Sequence, residues 1–323
     1  MTINRRTLAL ALGALATPMV AQAQAWRPSR PVRLVVPFAP GGSNDIVARI
    51  IGETVSNTLG QPLIIENRAG AGSVIGSEFV ARSAPDGHTL LINSAHSTVP
   101  AIVARVPYNA VTDFAGVAVA GFSPHVLVSN PRLPAGNARE LLALLRANPG
   151  RYNQATAGIG SSTHVTAELL KAVLQVQTEL VHYRGGGPAV VALVAGESHF
   201  GTPTMASSLG QVRGGGVRAL AVLGETRSAA LPDVPTAAEA GMPGVVLEEF
   251  FPILAPTGTP PAVLAALSAA FTNAITQNAG RMQELAGVSP RPGFDTPETV
   301  MRVVREGVES YTRILRAAGV QPE

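Results

Sequence analysis

Four glycine-rich turns hold most of this chain's capacity to handle a ligand. They are Pro37-Phe38-Ala39-Pro40-Gly41-Gly42-Ser43-Asn44-Asp45, Ala69-Gly70-Ala71-Gly72-Ser73, Ala157-Gly158-Ile159-Gly160-Ser161-Ser162-Thr163 and Tyr183-Arg184-Gly185-Gly186-Gly187-Pro188. Each runs from an extended stretch into a helical one. The first N–H groups of a helix have no partner within it, so such a turn offers donors to an anion. Glycine lets a ligand approach that backbone closely. Asp45 suits a helix cap or a ligand acceptor equally. Ser161 and Ser162 suit a helix cap with a hydroxyl left for a ligand, and Arg184 reads as a solvated loop charge.

Covalent and metal chemistry find less support. The histidines at 88, 96, 125, 164, 182 and 199 include no His-Glu-x-x-His pair, and the chain has no cysteine, which removes disulfides, thiolate metal sites and thiol nucleophiles. Gly160-Ser161-Ser162 is not the Gly-x-Ser-x-Gly elbow of a hydrolase. Gly70 to Gly76 resembles a dinucleotide fingerprint, but its third glycine falls one place late, the expected acid is Asn93, and no phosphate-binding loop follows any glycine pair. No cofactor and no metal are therefore expected. The alternative left open is an exported serine hydrolase using Ser161 or Ser162 with His164 or His182. An exported cofactor protein is a third.

The turns need elements to hold them, and the hydrophobic pattern supplies an α/β alternation. Strands are expected at 32–36, 63–65 and 89–92, with a helix from Asp45 to Leu59 that puts Val47, Ile50, Ile51 and Val55 on one face. After an extended run at 117–128 the pattern restarts: helices at 137–147, 163–174 and 188–195, strands at 153–156, 180–183, near Phe200 and at 217–222. A parallel sheet is the natural outcome. Residues 245–254 are extended again. In the last helix Thr296 caps, Pro297 opens the first turn and Gly319 stops it, with Val300, Val303, Val304, Val308, Tyr311 and Leu315 facing inward. Two α/β units and two crossings, near 122–129 and 245–254, make two lobes on a two-strand hinge. The C-terminal helices return to the first lobe.

Composition bounds the rest. Over 323 residues, Lys+Arg 24 against Asp+Glu 21 gives +3, charged residues are 14% and aromatics 4%. The pI of 9.8 reflects arginine in place of lysine, and with no basic stretch interleaved with aromatics it does not mark nucleic-acid binding. Two of the positive charges, Arg5 and Arg6, open an export signal over residues 1–25, followed by the apolar stretch Thr7 to Leu15 and a small-residue cleavage site near Ala23 or Ala25. Sec export and twin-arginine export both remain possible readings of it. The expected location is the periplasm.

Pro37-Phe38-Ala39-Pro40-Gly41-Gly42 with Asp45 and Ala48-Arg49, Glu66-Asn67-Arg68-Ala69-Gly70-Ala71-Gly72, and Pro85-Asp86-Gly87-His88-Thr89-Leu90-Leu91 resemble the Bordetella uptake gene family, the solute receptors of tripartite tricarboxylate transporters. The likeness continues through Gly158-Ile159-Gly160-Ser161, Tyr183-Arg184-Gly185, Leu231-Pro232-Asp233-Val234-Pro235-Thr236 and Ala255-Pro256. It implies a type II periplasmic binding protein fold: residues 1–25 as signal, 26–125 with 247–323 as one lobe, 126–246 as the other. It implies a monomer that closes on a small carboxylate, whether di- or tricarboxylate, amino acid or aromatic acid. The acid would pass to transporter membrane subunits or to a sensor kinase, with no nucleic acid and no catalysis. Carried over by motif, the ligand residues are Phe38, Ala39, Gly41, Gly42 and Asp45, then Gly70, Gly72, Ser94 and His96, then Gly160, Ser161, Ser162 and His164, then Tyr183 and Gly185. The chain departs from the pattern at Ser43-Asn44, at Ser198 to Thr204 and at Phe250-Phe251-Pro252, which leaves ligand preference the least transferable property.

Overall fold

Buried β-branched runs become the strands, and the glycine-rich turns lead from them into helices. In the computed structural model, which describes residues 26–103, 105–317 and 319–320, the first unit is β1 (Val32–Val36), α1 (Ser43–Leu59), β2 (Leu63–Asn67), α2 (Val74–Ala81), β3 (Thr89–Ile92) and the short α3 (Val99–Ile102). The export signal expected at 1–25 lies outside the described residues. Next comes β4 (Phe114–Ser129), a single strand of 16 residues. The second unit is α4 (Ala138–Ala147), β5 (Asn153–Thr156), α5 (Ser162–Leu174), β6 (Glu179–His182), α6 (Gly186–Ala195), β7 (Phe200–Gly201), α7 (Met205–Arg213) and β8 (Arg218–Leu223). The chain then returns through β9 (Glu248–Pro256), α8 (Pro261–Ala286) and α9 (Pro297–Ala317).

The sheet is mixed, which corrects the parallel expectation. β2, β1 and β3 are mutually parallel, as are β6, β5 and β7. Between them lie antiparallel strands: β9 pairs with β3 and β4, and β4 pairs with β7 and β8. The reason is topological. One chain leaves the first lobe along β4 and comes back along β9, so the two crossing segments run in opposite directions. The β4–β9 register slips between Val119 and Phe122, around Gly121 at φ 151°, and the long strand bends there to serve both sheets. The return crossing is tied by Leu247 N–H to Leu223 O at 3.0 Å.

Each lobe has its own apolar core. In the first, α1 buries Val47, Ile51 and Val55 with Leu267, Phe271 and Ala274 of α8 and Phe251 of β9. On the other face α9 buries Val300, Val304, Tyr311 and Leu315, while Val303 and Val308 are half-buried. In the second, Leu141, Leu145, Leu170, Phe200 and Leu223 pack together. Helix starts follow the cap residues: Asn137 Oδ1 accepts from Glu140 N at 3.0 Å, and Thr296 Oγ1 from Thr299 N at 3.3 Å. Among the described residues no helix is long and apolar enough to cross a membrane.

Phe251 is fully buried on the strand that joins the lobes. Phe251→Ala is expected to lower unfolding free energy by about 3–5 kcal/mol, read from the urea midpoint.

Candidate ligand-binding site

Four helices begin at one cavity. α1 starts after Gly42, α6 after Gly185 and α7 after Thr204, all without a side-chain cap hydrogen bond. Of these four, only α5 is capped by a side chain, Ser161 Oγ accepting from His164 N at 3.2 Å. The first lobe lines the cavity with Phe38, Gly42, Ser43, Asn44 and Ser94, and the second with Ala157, Ser161, Ser162, Thr163, Gly186, Thr204 and Ser207. The hinge strand β9 adds Glu249. About 20 Å³ is open to water centres, room for roughly one water.

The space is small because the lobes meet backbone to backbone. Ala39 N–H donates to Arg184 O across the cleft at 3.1 Å, and Thr98 Oγ1 donates to Gly160 O. A Cβ on Gly72 would lie 1.8 Å from Ile159 O, and one on Gly187 would lie 2.6 Å from Pro40 O. Side chains at either position would hold the lobes apart. Ala71, Gly72 and Ser73 all have positive φ, 45°, 61° and 91°. That strained turn is held from β3 by Asn93, whose amide donates to Ser73 Oγ at 3.1 Å and Ser77 Oγ at 3.0 Å.

Of the residues singled out from sequence, Phe38, Gly42, Ser94, Ser161 and Ser162 line the cavity. Ser94 is fixed by a two-way pair with Asn44: its N–H reaches Asn44 Oδ1 and its Oγ accepts from Asn44 Nδ2, both at 2.9 Å. Ala39, Gly41, Gly70, Gly72, Gly160 and Gly185 shape the surrounding turns without lining the space. Asp45 is 3% exposed, and both its oxygens are used within the first lobe. Oδ2 accepts from Gly41 N at 3.0 Å and Arg49 Nε at 2.9 Å, and Oδ1 from Arg49 Nη2 at 2.9 Å and Asn67 Nδ2 at 3.1 Å. It braces the Pro-Gly-Gly turn against α1 and β2. His96 is buried away from the cleft, its Nε2 2.8 Å from Ala110 O and its ring edge-on to Phe114, and burial pushes its pKa down to about 4. Tyr183 Oη is 3.0 Å from Ser198 Oγ inside the second lobe.

The hydrolase alternative fails on its hydrogen bonds. Ser161 Oγ donates to Gly158 O at 2.6 Å and Ser162 Oγ to Glu249 Oε1 at 2.7 Å, so neither proton is aimed at an imidazole. His164 Nδ1 accepts from Gly160 N at 3.3 Å. Burial, then the neighbouring His182, pushes the His164 pKa down to about 4, which keeps that nitrogen an acceptor that props the turn. His182 Nδ1 lies 2.6 Å from Thr156 Oγ1.

Eight lining residues were not named as ligand residues from sequence: Ser43, Asn44, Ala157, Thr163 and Gly186, which lie within the glycine-rich turns, and Thr204, Ser207 and Glu249, which lie outside them. Glu249 had a visible signal, two adjacent acids opening an otherwise apolar strand. Its carboxyl is 2% exposed, and Oε2 has no hydrogen-bond partner. Burial pushes its pKa up, while the hydroxyls of Ser94, Ser162, Ser43 and Thr204 pull the other way.

For Asp45, burial alone would raise the pKa, but the Arg49, Gly41 and Asn67 hydrogen bonds outweigh it and hold the group below its ordinary 3.8. Its stabilising contribution is therefore complete above that pH and fades as pH falls through the lower folded value. Asp45→Asn is expected to cost about 1–3 kcal/mol at pH 7. In thermal melts the gap to the wild type should close as pH drops below 3.8.

A family model described as the tripartite tricarboxylate transporter family receptor matches residues 47–320. Protein BugT of Bordetella pertussis is 34% identical over 315 residues, 97% of this chain and 95% of its own. The solved periplasmic binding protein BugD superposes with TM-score 0.88 at 31% identity, covering 92% of this chain and all of that one. MatC from Rhodopseudomonas palustris, solved with bound malate, gives TM-score 0.85 at 34% identity over 89% of this chain and 99% of its own. The fold is thus that of a periplasmic binding protein, two lobes about a cleft.

Proposed function

The chain belongs to the tripartite tricarboxylate transporter receptor family, and we propose from that membership that it captures a small organic acid by closing its lobes on the carboxylate. It is a solute-binding receptor, not an enzyme. The observation that carries the acid reading is the convergence of helix N-termini from both lobes on one cavity. MatC, solved with bound malate, is a similar protein that holds a small carboxylate.

The lobes in this proposal are residues 26–125 with 247–323 and residues 126–246. Amides at the starts of α1 and α5 grip the carboxylate from opposite sides, aided by Gly186 and the hydroxyls of Ser94 and Ser162. Asp45 is a positioning residue that keeps the first of these amides presented. The shut cavity admits no organic acid, so binding starts from an opened cleft and the turns re-close around the ligand, shifting the population toward the closed form. Closing needs bare backbone at Gly72 and Gly187. Residues 1–25 direct the chain to the periplasm, where the closed monomer presents its acid to transporter membrane subunits or a sensor kinase.

Titration calorimetry against mono- and dicarboxylates and amino acids tests this reading: at least one acid should bind saturably. In Gly72→Ala the added methyl must displace Ile159 O, and affinity for that acid should fall at least about tenfold, ~1.4 kcal/mol, with circular dichroism unchanged. Absence of binding by every acid contradicts the receptor reading, and unchanged affinity in the variant contradicts closure at this turn.

A further inference from the structure

Among the described residues, Glu249 is the one ionisable side chain lining the cavity, and it is chemically opposite to the amides around it. The remaining lining residues are neutral, and the backbone N–H groups of the helix starts are donors among them. Glu249 sits 2% exposed on β9 where the lobes join, with Ser162 Oγ donating to Oε1, the hydroxyls of Ser43, Ser94 and Thr204 around the carboxyl, and no well-formed hydrogen bond on Oε2. Its neighbour Glu248 is different, half-buried and paired with Arg291 Nη2 at 2.6 Å. Among the described residues, Glu249 has no basic partner within ion-pair distance.

Resting on the receptor reading above, we propose that Glu249 is the seat of a positively charged nitrogen and that the ligand is a zwitterion. Its carboxylate lodges against the helix starts and its ammonium against Glu249. The electrostatics lead there in three steps. A buried carboxylate without a counter-charge is costly, and an ammonium would supply both the charge and the donor that Oε2 lacks. The helix starts that would hold a ligand carboxylate face the same small space as Glu249, so an ionised Glu249 and that carboxylate repel each other unless Glu249 takes up a proton or a cation stands between them, and an ammonium on the ligand supplies the cation. A di-acid such as malate would bring a further negative charge to that wall. The site therefore discriminates against plain di-acids and in favour of amino acids or related ammonium carboxylates. Ser162, reaching from α5 to Oε1, ties this carboxylate to closure.

The test uses ligand pairs that differ only by the ammonium: β-alanine and propionate, 4-aminobutyrate and butyrate, L-glutamate and glutarate, each titrated into the full mature chain by calorimetry. The wild type should bind the amino member of at least one pair at least about tenfold more tightly than its partner. Glu249→Gln should reduce that preference to within about threefold, weakening the amino member and strengthening the plain acid, with an unchanged melting temperature. The wild-type comparison stands even if the variant folds poorly. Plain acids bound as tightly as their amino partners overturn the inference and leave the receptor reading standing. Equal weakening of both members in Glu249→Gln, with a lower melting temperature, also overturns it, because the carboxylate is then a structural latch. If no member of either class binds, the receptor reading falls and the inference with it.

Discussion

A helix that begins without a side-chain cap leaves backbone N–H groups that must find an acceptor, and here three such starts, with a fourth capped by Ser161, surround one cavity. A buried donor left unmet costs about 1–3 kcal/mol. Two starts together therefore make a strong demand for an anion or water, without any fixed cation. This accounts for a site with no lysine or arginine on its walls in a chain of only 14% charged residues. Because α1 belongs to one lobe and α5, α6 and α7 to the other, the demand is met in full only when the lobes are together. On the proposed reading, anion capture and closure are one event.

Closure in turn depends on how near two backbones can come. The turn at Gly72 reaches Ile159 O, and Gly187 reaches Pro40 O, at distances that exclude even a methyl group. Holding such turns needs rigid supports behind them. Asn93 ties the Gly70–Ser73 turn to β3, Asp45 ties the Pro-Gly-Gly turn to α1 and β2, and His164 props Gly160 from within α5. These side chains act on the site without lining it. The apolar cores on either side, with α8 and α9 returned over the first lobe, fill each half separately, and β4 and β9 join the two halves.

Much of this was legible in the residues. The alternation of β-branched runs and amphipathic stretches marks the α/β units, and the glycine-rich turns mark the helix starts that face the cleft. The antiparallel crossing strands were not legible as such, because periodicity reports burial and not direction. α7 escaped because Met205 to Arg213 mixes small and polar residues without an apolar stripe, yet its start contributes Thr204 and Ser207 to the cavity. Asp45 and His164 carry residue types that suit ligand contact, and only their hydrogen bonds show them turned to the protein's own backbone. Glu249 was hidden for a related reason: an acid in a strand reads as a solvated edge until the fold buries it. Of the stretches 43–44, 198–204 and 250–252, Ser43, Asn44 and Thr204 reach the cavity wall, and Glu249 adjoins the third.

The central claim is that backbone amides at the starts of α1 and α5 hold the ligand's carboxylate together. Amide nitrogen and proton shifts of residues 42–44 and 161–163, followed by NMR as a bound acid is titrated, test it most directly. The account predicts that both segments shift together, with downfield proton changes and one common midpoint. Shifts confined to one lobe, or to residues away from the cavity, would contradict it.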